Sequence, residues 1–96
     1  MELEKPAIAL KELGHTARLS IFRILVKSGH EGLPVGSLAQ KLELPNSTLT
    51  HHISGLIRAG LVEQQRDGRT LYCVPQYDLL ESVIAFLQDE CCVDAK

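Results

Sequence analysis

With 96 residues, 45% of them hydrophobic, the chain can build one modest core but not two, so residues 1–96 are expected to form a single domain. A formal net charge of −2 excludes a uniformly basic nucleic-acid binder, and no stretch approaches the roughly 20 apolar residues that a membrane span needs. The opening MELEKPAIALKELGH carries acids where a secretory signal has a basic start, so the expected location is cytoplasmic, with no membrane partner.

Apolar periodicity predicts helices over about residues 3–13, 16–28 and 35–43, with a short strand near Leu33. Glycine, serine and proline clusters at residues 28–32 and 44–46 mark turns between them. No internal repeat, low-complexity tract or long linker interrupts the chain.

A fourth helix over about residues 46–59 starts after Pro45, which suits a first helical turn, and Asn46, Ser47 and Thr48 are expected to cap its free amides. Leu49, Ile53, Leu56 and Ile57 recur at helical spacing and are expected to form a buried stripe. Ser47, Thr48, Thr50 and His51 fall on the opposite, polar side. Arg58 is the only charged residue between Pro45 and Gly60. Nothing on the outward face would repel phosphate, and its hydroxyl, amide and imidazole groups can reach base edges. Asn46, Ser47, Thr48, Thr50 and His51 are therefore candidate DNA-contacting residues. A capped amphipathic surface helix would carry the same stripe, so this helix alone does not decide.

The next residues tip the balance. Gly60 supplies a left-handed helix stop, strands over about residues 61–66 and 69–74 follow, and Asp67-Gly68 is a two-residue hairpin signal. That turn would place Arg66 opposite Arg69. Two facing guanidinium groups repel unless an anion lies between them, and a phosphate backbone is the expected one. A reading helix followed at once by a two-stranded wing points to a DNA-binding protein whose wing arginines meet phosphates.

The last helix, over about residues 76–91, is apolar on more than one side: Leu80, Val83, Ile84, Leu87 and Cys91 make one stripe, while Leu79 and Phe86 extend another. One side must be covered. A second copy of the chain is the expected cover, with Leu3, Ala7, Ile8 and Leu10 of the first helix completing a two-fold interface. The charge agrees with this division of labour. Residues 16–60 carry five basic and two acidic residues, whereas residues 76–96 carry one basic and five acidic, so the excess acid lies away from the expected DNA face. A two-fold dimer reads an inverted-repeat operator in double-stranded DNA.

The segment STLTHHISGLIRAGLVEQQRDGRTLYCV resembles the recognition helix and wing of the ArsR/SmtB family of metal- and metalloid-responsive repressors. LGHTARLSIFRIL is similar to that family's second helix and VGSLAQKLEL to the first helix of its helix-turn-helix, so the likeness covers most of the chain. Departures fall at helix caps: His15 and Thr16 stand where the family usually has Asp-Pro, and Pro45 stands in place of a usual serine. The resemblance implies a mainly α fold with a β-hairpin wing, a homodimeric winged helix-turn-helix, and a repressor that leaves its operator when an inducer binds.

Sensing chemistry is expected at the cysteines, Cys73 in the second wing strand and the adjacent pair Cys91-Cys92 at the end of the last helix. Adjacent cysteines are awkward as a disulfide but can both turn toward one soft ion, and thiolates select species such as trivalent arsenic or antimony. Two sulfurs suit methylarsenite. Arsenite and antimonite prefer three, which makes Cys73, or a thiol from the other subunit, a candidate third ligand. The other sensor sites the resemblance implies are missing: VGSLAQKLEL has no cysteine, the last helix has no histidine for zinc, and TARLSIFRILVKS has no cysteine for a redox pair. What remains resembles the repressors with a C-terminal cysteine pair. No permanently bound cofactor is expected.

Of the histidines, His51 is expected to face DNA, His52 to be a partly buried structural group, and His15 and His30 to sit at helix ends. No Gly-rich phosphate loop or Ser/His/Asp arrangement is visible, so no enzyme is expected. The sequence thus reads as an arsenical-released repressor. Two alternatives stay open, a thiol-based redox-sensing repressor of the same fold and a winged-helix protein-interaction module without DNA binding.

Overall fold

Proline and glycine set the joints of the chain, and apolar spacing sets what lies between them. The computed structural model describes residues 1–95. Five helices and three strands follow in the order α1 (Glu4–Leu13), α2 (Thr16–Ser28), β1 (Leu33–Pro34), α3 (Val35–Leu42), α4 (Asn46–Arg58), β2 (Val62–Asp67), β3 (Thr70–Pro75) and α5 (Tyr77–Gln88). The winged helix-turn-helix expected from sequence is the fold found.

The core forms where the helical stripes meet. Ile21 and Leu25 of α2, Leu38 of α3, and Leu49, Ile53 and Leu56 of α4 are buried together with Leu61 and Cys73. Each fully buried aliphatic side chain contributes about 1.5–3 kcal/mol, so the three from α4 alone fix which way that helix faces. Ile57, expected in the same stripe, is 36% exposed. One residue beyond Leu56 the helix has rotated by about 100°, which carries Ile57 off the buried arc.

Local caps explain the joints. His15 is the N-cap of α2: its backbone is extended and its Nδ1 accepts from the Ala17 N–H at 3.2 Å. Two of the carbonyls that α2 leaves unbonded at its end are taken by side chains, Leu25 by Ser28 Oγ at 2.6 Å and Val26 by Tyr77 Oη at 2.7 Å. The α3–α4 turn closes with Glu43 in the left-handed region (φ 53°), where Leu44 N donates back to Ala39 O at 3.2 Å. At the end of α4, Gly60 (φ 80°) makes a Schellman stop, with Gly60 N bonded to Ile57 O and Leu61 N to Leu56 O.

The sheet is antiparallel in the order β1-β3-β2. In the wing, Val62 pairs with Pro75 and Asp67 with Thr70, so the two-residue loop is Gly68-Arg69. This corrects the expected Asp67-Gly68 turn. A type I′ turn there would need Asp67 at positive φ, whereas a type II′ turn needs it only at the first loop position, and Gly68 (φ 62°) occupies that position. The last helix also ends sooner than expected, at Gln88 rather than residue 91. Asp89 leaves the helical region (ψ 133°), and two acids, Asp89 and Glu90, are disfavoured at the negative end of a helix. Residues 89–94 form turns instead, with Cys91 N bonded to Gln88 O and Val93 N to Glu90 O.

Candidate nucleic-acid interface and thiol pair

The buried stripe of Leu49, Ile53 and Leu56 turns the other side of α4 outward, and Asn46, Ser47, Thr48, Thr50 and His51 are all exposed there. Asn46, Ser47 and Thr48 do not cap the helix as expected. Pro45 is the N-cap and no side chain bonds the first turn. The first helical bond runs from Leu49 N to Pro45 O at 3.0 Å, so the amides of residues 46–48 precede it, at the positive end of an acid-free helix.

The wing places Arg66 and Arg69 differently from the expectation. Arg66 pairs across the ladder with Leu71, and Arg69 sits in the loop at the hairpin apex. They are not directly opposed, so mutual repulsion no longer argues for an anion between them. Both are exposed, and among the described residues neither forms an ion pair, the salt bridges being Arg18–Glu12 and Arg58–Glu12. Two unpaired cations at the tip of a hairpin remain available to phosphates.

The cysteines divide into two environments. Cys91 and Cys92 are exposed and their Sγ atoms lie 3.5 Å apart, so the structure brings the adjacent pair together as one two-sulfur face. It lies just past α5, on the turns, with Cys92 itself in the left-handed region (φ 64°). Cys73 is buried in β3 with no exposed surface. Burial holds its thiol above the ordinary value of 9.0, against a weak opposing contact from Gln64 Nε2 at 4.0 Å. The structure does not bring Cys73 to the pair, and among the described residues no group of three His, Cys, Asp or Glu side chains has metal-holding geometry.

His52, expected near the apolar stripe, is buried at 9% exposure and faces α2. Its Nδ1 lies 3.4 Å from Nη1 of Arg18. Arg18 and Glu12, which the sequence did not single out, complete this junction: Arg18 Nε donates to the Glu12 carbonyl at 2.9 Å and lies 3.4 Å from Glu12 Oε2. A signal was present in Gly55, a helix-interior glycine, since a Cβ there would stand 3.0 Å from the Glu12 carboxylate.

Comparison with known proteins adds to this geometry. The family described as a helix-turn-helix domain matches residues 13–65. The chain is 33% identical over 87 residues to the transcriptional repressor PagR of Bacillus anthracis, covering 91% of this chain and 85% of PagR. It is 35% identical over 80 residues to the nodulation protein NolR of Rhizobium meliloti, covering 83% of this chain but only 63% of NolR. The crystal structure of PagR superposes with a TM-score of 0.72 over 88% of this chain and 94% of that one. An ArsR-like transcriptional regulator from Rhodococcus sp. RHA1, at 24% identity, shares the fold with a TM-score of 0.77 over 88% of this chain and 76% of that one.

Proposed function

The chain belongs to the ArsR/SmtB family of winged helix-turn-helix transcriptional regulators, and we propose that it is a homodimeric repressor that leaves its operator when a trivalent arsenical binds Cys91 and Cys92. The relatives it matches regulate transcription and are not enzymes, and neither is this chain. The observation that carries the DNA reading is the acid-free exposed face of α4, residues 46–51, together with two exposed wing arginines that form no ion pair among the described residues. A module that binds only protein needs neither.

The dimer rests on surface left uncovered. Leu3, Ile8 and Leu10 of the N-terminal segment and Ile84 and Leu87 of α5 are all more than 40% exposed, and α1 and α5 pack together in the monomer. Apolar side chains in such number favour a second copy as cover. A two-fold dimer of this kind sets its two α4 helices into successive major grooves about 34 Å apart, on an inverted repeat.

The inducer reading rests on the 3.5 Å Sγ–Sγ contact of Cys91 and Cys92. Two convergent thiols match a two-coordinate species such as methylarsenite. With Cys73 in the core, arsenite or antimonite would draw its third sulfur from the other subunit. A trivalent metalloid displaces the thiol protons as its bonds to sulfur form. Ligation acts at a distance from α4, by binding free and DNA-bound protein unequally.

The test is release of a DNA duplex, selected in vitro for tight binding, by methylarsenite, arsenite, antimonite and hydrogen peroxide in parallel. Methylarsenite is expected to release wild type, while Cys91→Ser and Cys92→Ser bind the duplex normally and fail to respond. Release of both variants with wild-type ligand dependence would end the arsenical reading. Release by peroxide alone would favour the redox alternative.

A further inference from the structure

Three helices meet at Glu12, Arg18 and His52, behind the exposed face of α4. Glu12 closes α1 with its carboxylate laid over Gly55 of α4. Arg18 of α2 grips Glu12 twice, through the carbonyl oxygen at 2.9 Å and Oε2 at 3.4 Å, and its Nη1 reaches His52 Nδ1 at 3.4 Å. Arg58, at the far end of α4, stands 3.9 Å from the other carboxylate oxygen.

The protonation state of this junction follows from its chemistry. An arginine has donors and no acceptor, so His52 Nδ1 must accept, and His52 is neutral with its proton on Nε2. His15 Nδ1 is likewise an acceptor, taking the Ala17 N–H at 3.2 Å. The two rings stand 4.9 Å apart, and His51 lies 5.7 Å from His52.

We propose that His52 is a positioning residue for the recognition helix, holding α4 against α1 and α2 through Arg18 and Glu12, and that protonation of His52 breaks this link and weakens DNA binding. The proposal rests on reading α4 as the DNA-contacting helix. The groups that face His52 are His15, the N-cap of α2, Arg18 of α2 and His51 of its own helix, and behind Arg18 the Glu12 carboxylate of α1 is shared with Arg58. One carboxylate therefore already serves two guanidinium groups. A proton on His52 replaces the acceptor with a donor aimed at Arg18 and adds a third positive charge to the junction. Burial first, then His15, Arg18 and His51, hold the His52 pKa below the ordinary 6.5, so the intact link and the proton are mutually exclusive.

The test uses the full chain and a labelled duplex selected in vitro, with affinity measured from pH 7.5 to 5.5 at constant ionic strength. A histidine that must stay neutral to work, titrating at 6.5 when released, limits the loss to about tenfold at pH 5.5. Wild type is expected to lose affinity by up to that factor. His52→Asn keeps an acceptor near the Nδ1 position and cannot titrate, so it is expected to bind within about twofold of wild type at pH 7.5 with a flat profile. His51→Gln, whatever its basal affinity, should keep the acid fall. Nitrogen NMR of the imidazoles, without DNA, should show His52 as the Nε2–H tautomer at pH 7.5. An acid fall in His52→Asn equal to that of wild type, no acid fall in wild type, or an Nδ1–H tautomer would each overturn the proposal. Absence of any DNA binding at pH 7.5 would instead overturn the reading of α4, and this inference with it.

Discussion

The phenol of Tyr77 donates a 2.7 Å hydrogen bond to the carbonyl of Val26, joining the first residue of α5 to the last turn of α2. It ties the helix that leads to the thiol pair to the DNA-binding half across 51 positions of sequence. Tyr77→Phe should keep the ring against His30, 4.7 Å away, and lose only this bond. We expect a loss of about 0.5–1.5 kcal/mol in urea unfolding, because water can reach part of the freed carbonyl. If α5 transmits the inducer signal through this bond, Tyr77→Phe will also need more arsenical for half-release.

Arg66→Ala and Arg69→Ala should weaken binding to selected and random duplexes alike and lower the salt slope by about one each, since wing arginines meet phosphates. Changes at Ser47, Thr48 or His51 should shift sequence preference instead. Anisotropy across a salt series separates the two. Unaltered affinity of both arginine variants for both duplexes would remove the wing from the interface.

Gly32→Ala should be among the most damaging single changes in the chain. A Cβ at Gly32 would stand 2.0 Å from the Cys73 carbonyl oxygen, and its backbone is left-handed (φ 73°). The expected cost is about 3 kcal/mol or more, because sheet backbone rather than a flexible side chain must move. Gly68→Ala has the same handedness problem but nothing within 4 Å, and should cost only about 1–2 kcal/mol. Denaturant midpoints of the two variants check the contrast.

Stability should fall at both ends of the pH range. His52 sits below its ordinary 6.5 in the folded state, so its contribution is complete above pH 6.5 and is lost as pH falls through and below that value. Cys73 sits above its ordinary 9.0, so its contribution is complete below pH 9 and is lost as pH rises beyond it. Melting temperatures from pH 5 to 10 should flatten on the acid side in His52→Asn and on the alkaline side in Cys73→Ala. Cys73→Ala should also keep its response to methylarsenite.

Ile84→Glu and Leu87→Glu should yield monomers that keep their helical content, since both side chains are about half exposed or more in the single chain. Sedimentation at micromolar concentration decides between one and two copies. A wild-type monomer at that concentration would remove the basis for the inverted-repeat geometry.

Much of this architecture was legible in local spacing. Pro45, Gly60 and the Leu49–Ile53–Leu56 stripe located α4 to within about a residue, because caps and helical periodicity are short-range properties. The hairpin slipped by one position since Asp67-Gly68 and Gly68-Arg69 are both good two-residue loops, and only the ladder from Val62 to Pro75 chooses between them. The end of α5 was overrun because the apolar stripe continues to Cys91, whereas Asp89 and Glu90 stop the helix. The Glu12–Arg18–His52 junction left no local mark beyond the helix-interior Gly55, which names no partner. Its bonds span 6 and 34 positions, and nothing local marks Arg18 as the residue that meets both.

The three-stranded sheet has two open borders, and each is unfit for recruiting another strand. On one side β1 is only two residues long and ends in Pro34, which offers no amide. On the other, β2 carries Glu63, Arg66 and Asp67 along an exposed rim. Arg66 therefore stands at a crossroads of two selection pressures: the charge that could grip a nucleic acid also keeps neighbouring molecules from zipping onto the wing. A chain that abandoned DNA binding would still have reason to keep a charge at this position, so a charged residue 66 in a related protein is weaker testimony of DNA contact than an arginine at the apex, where Arg69 guards no border.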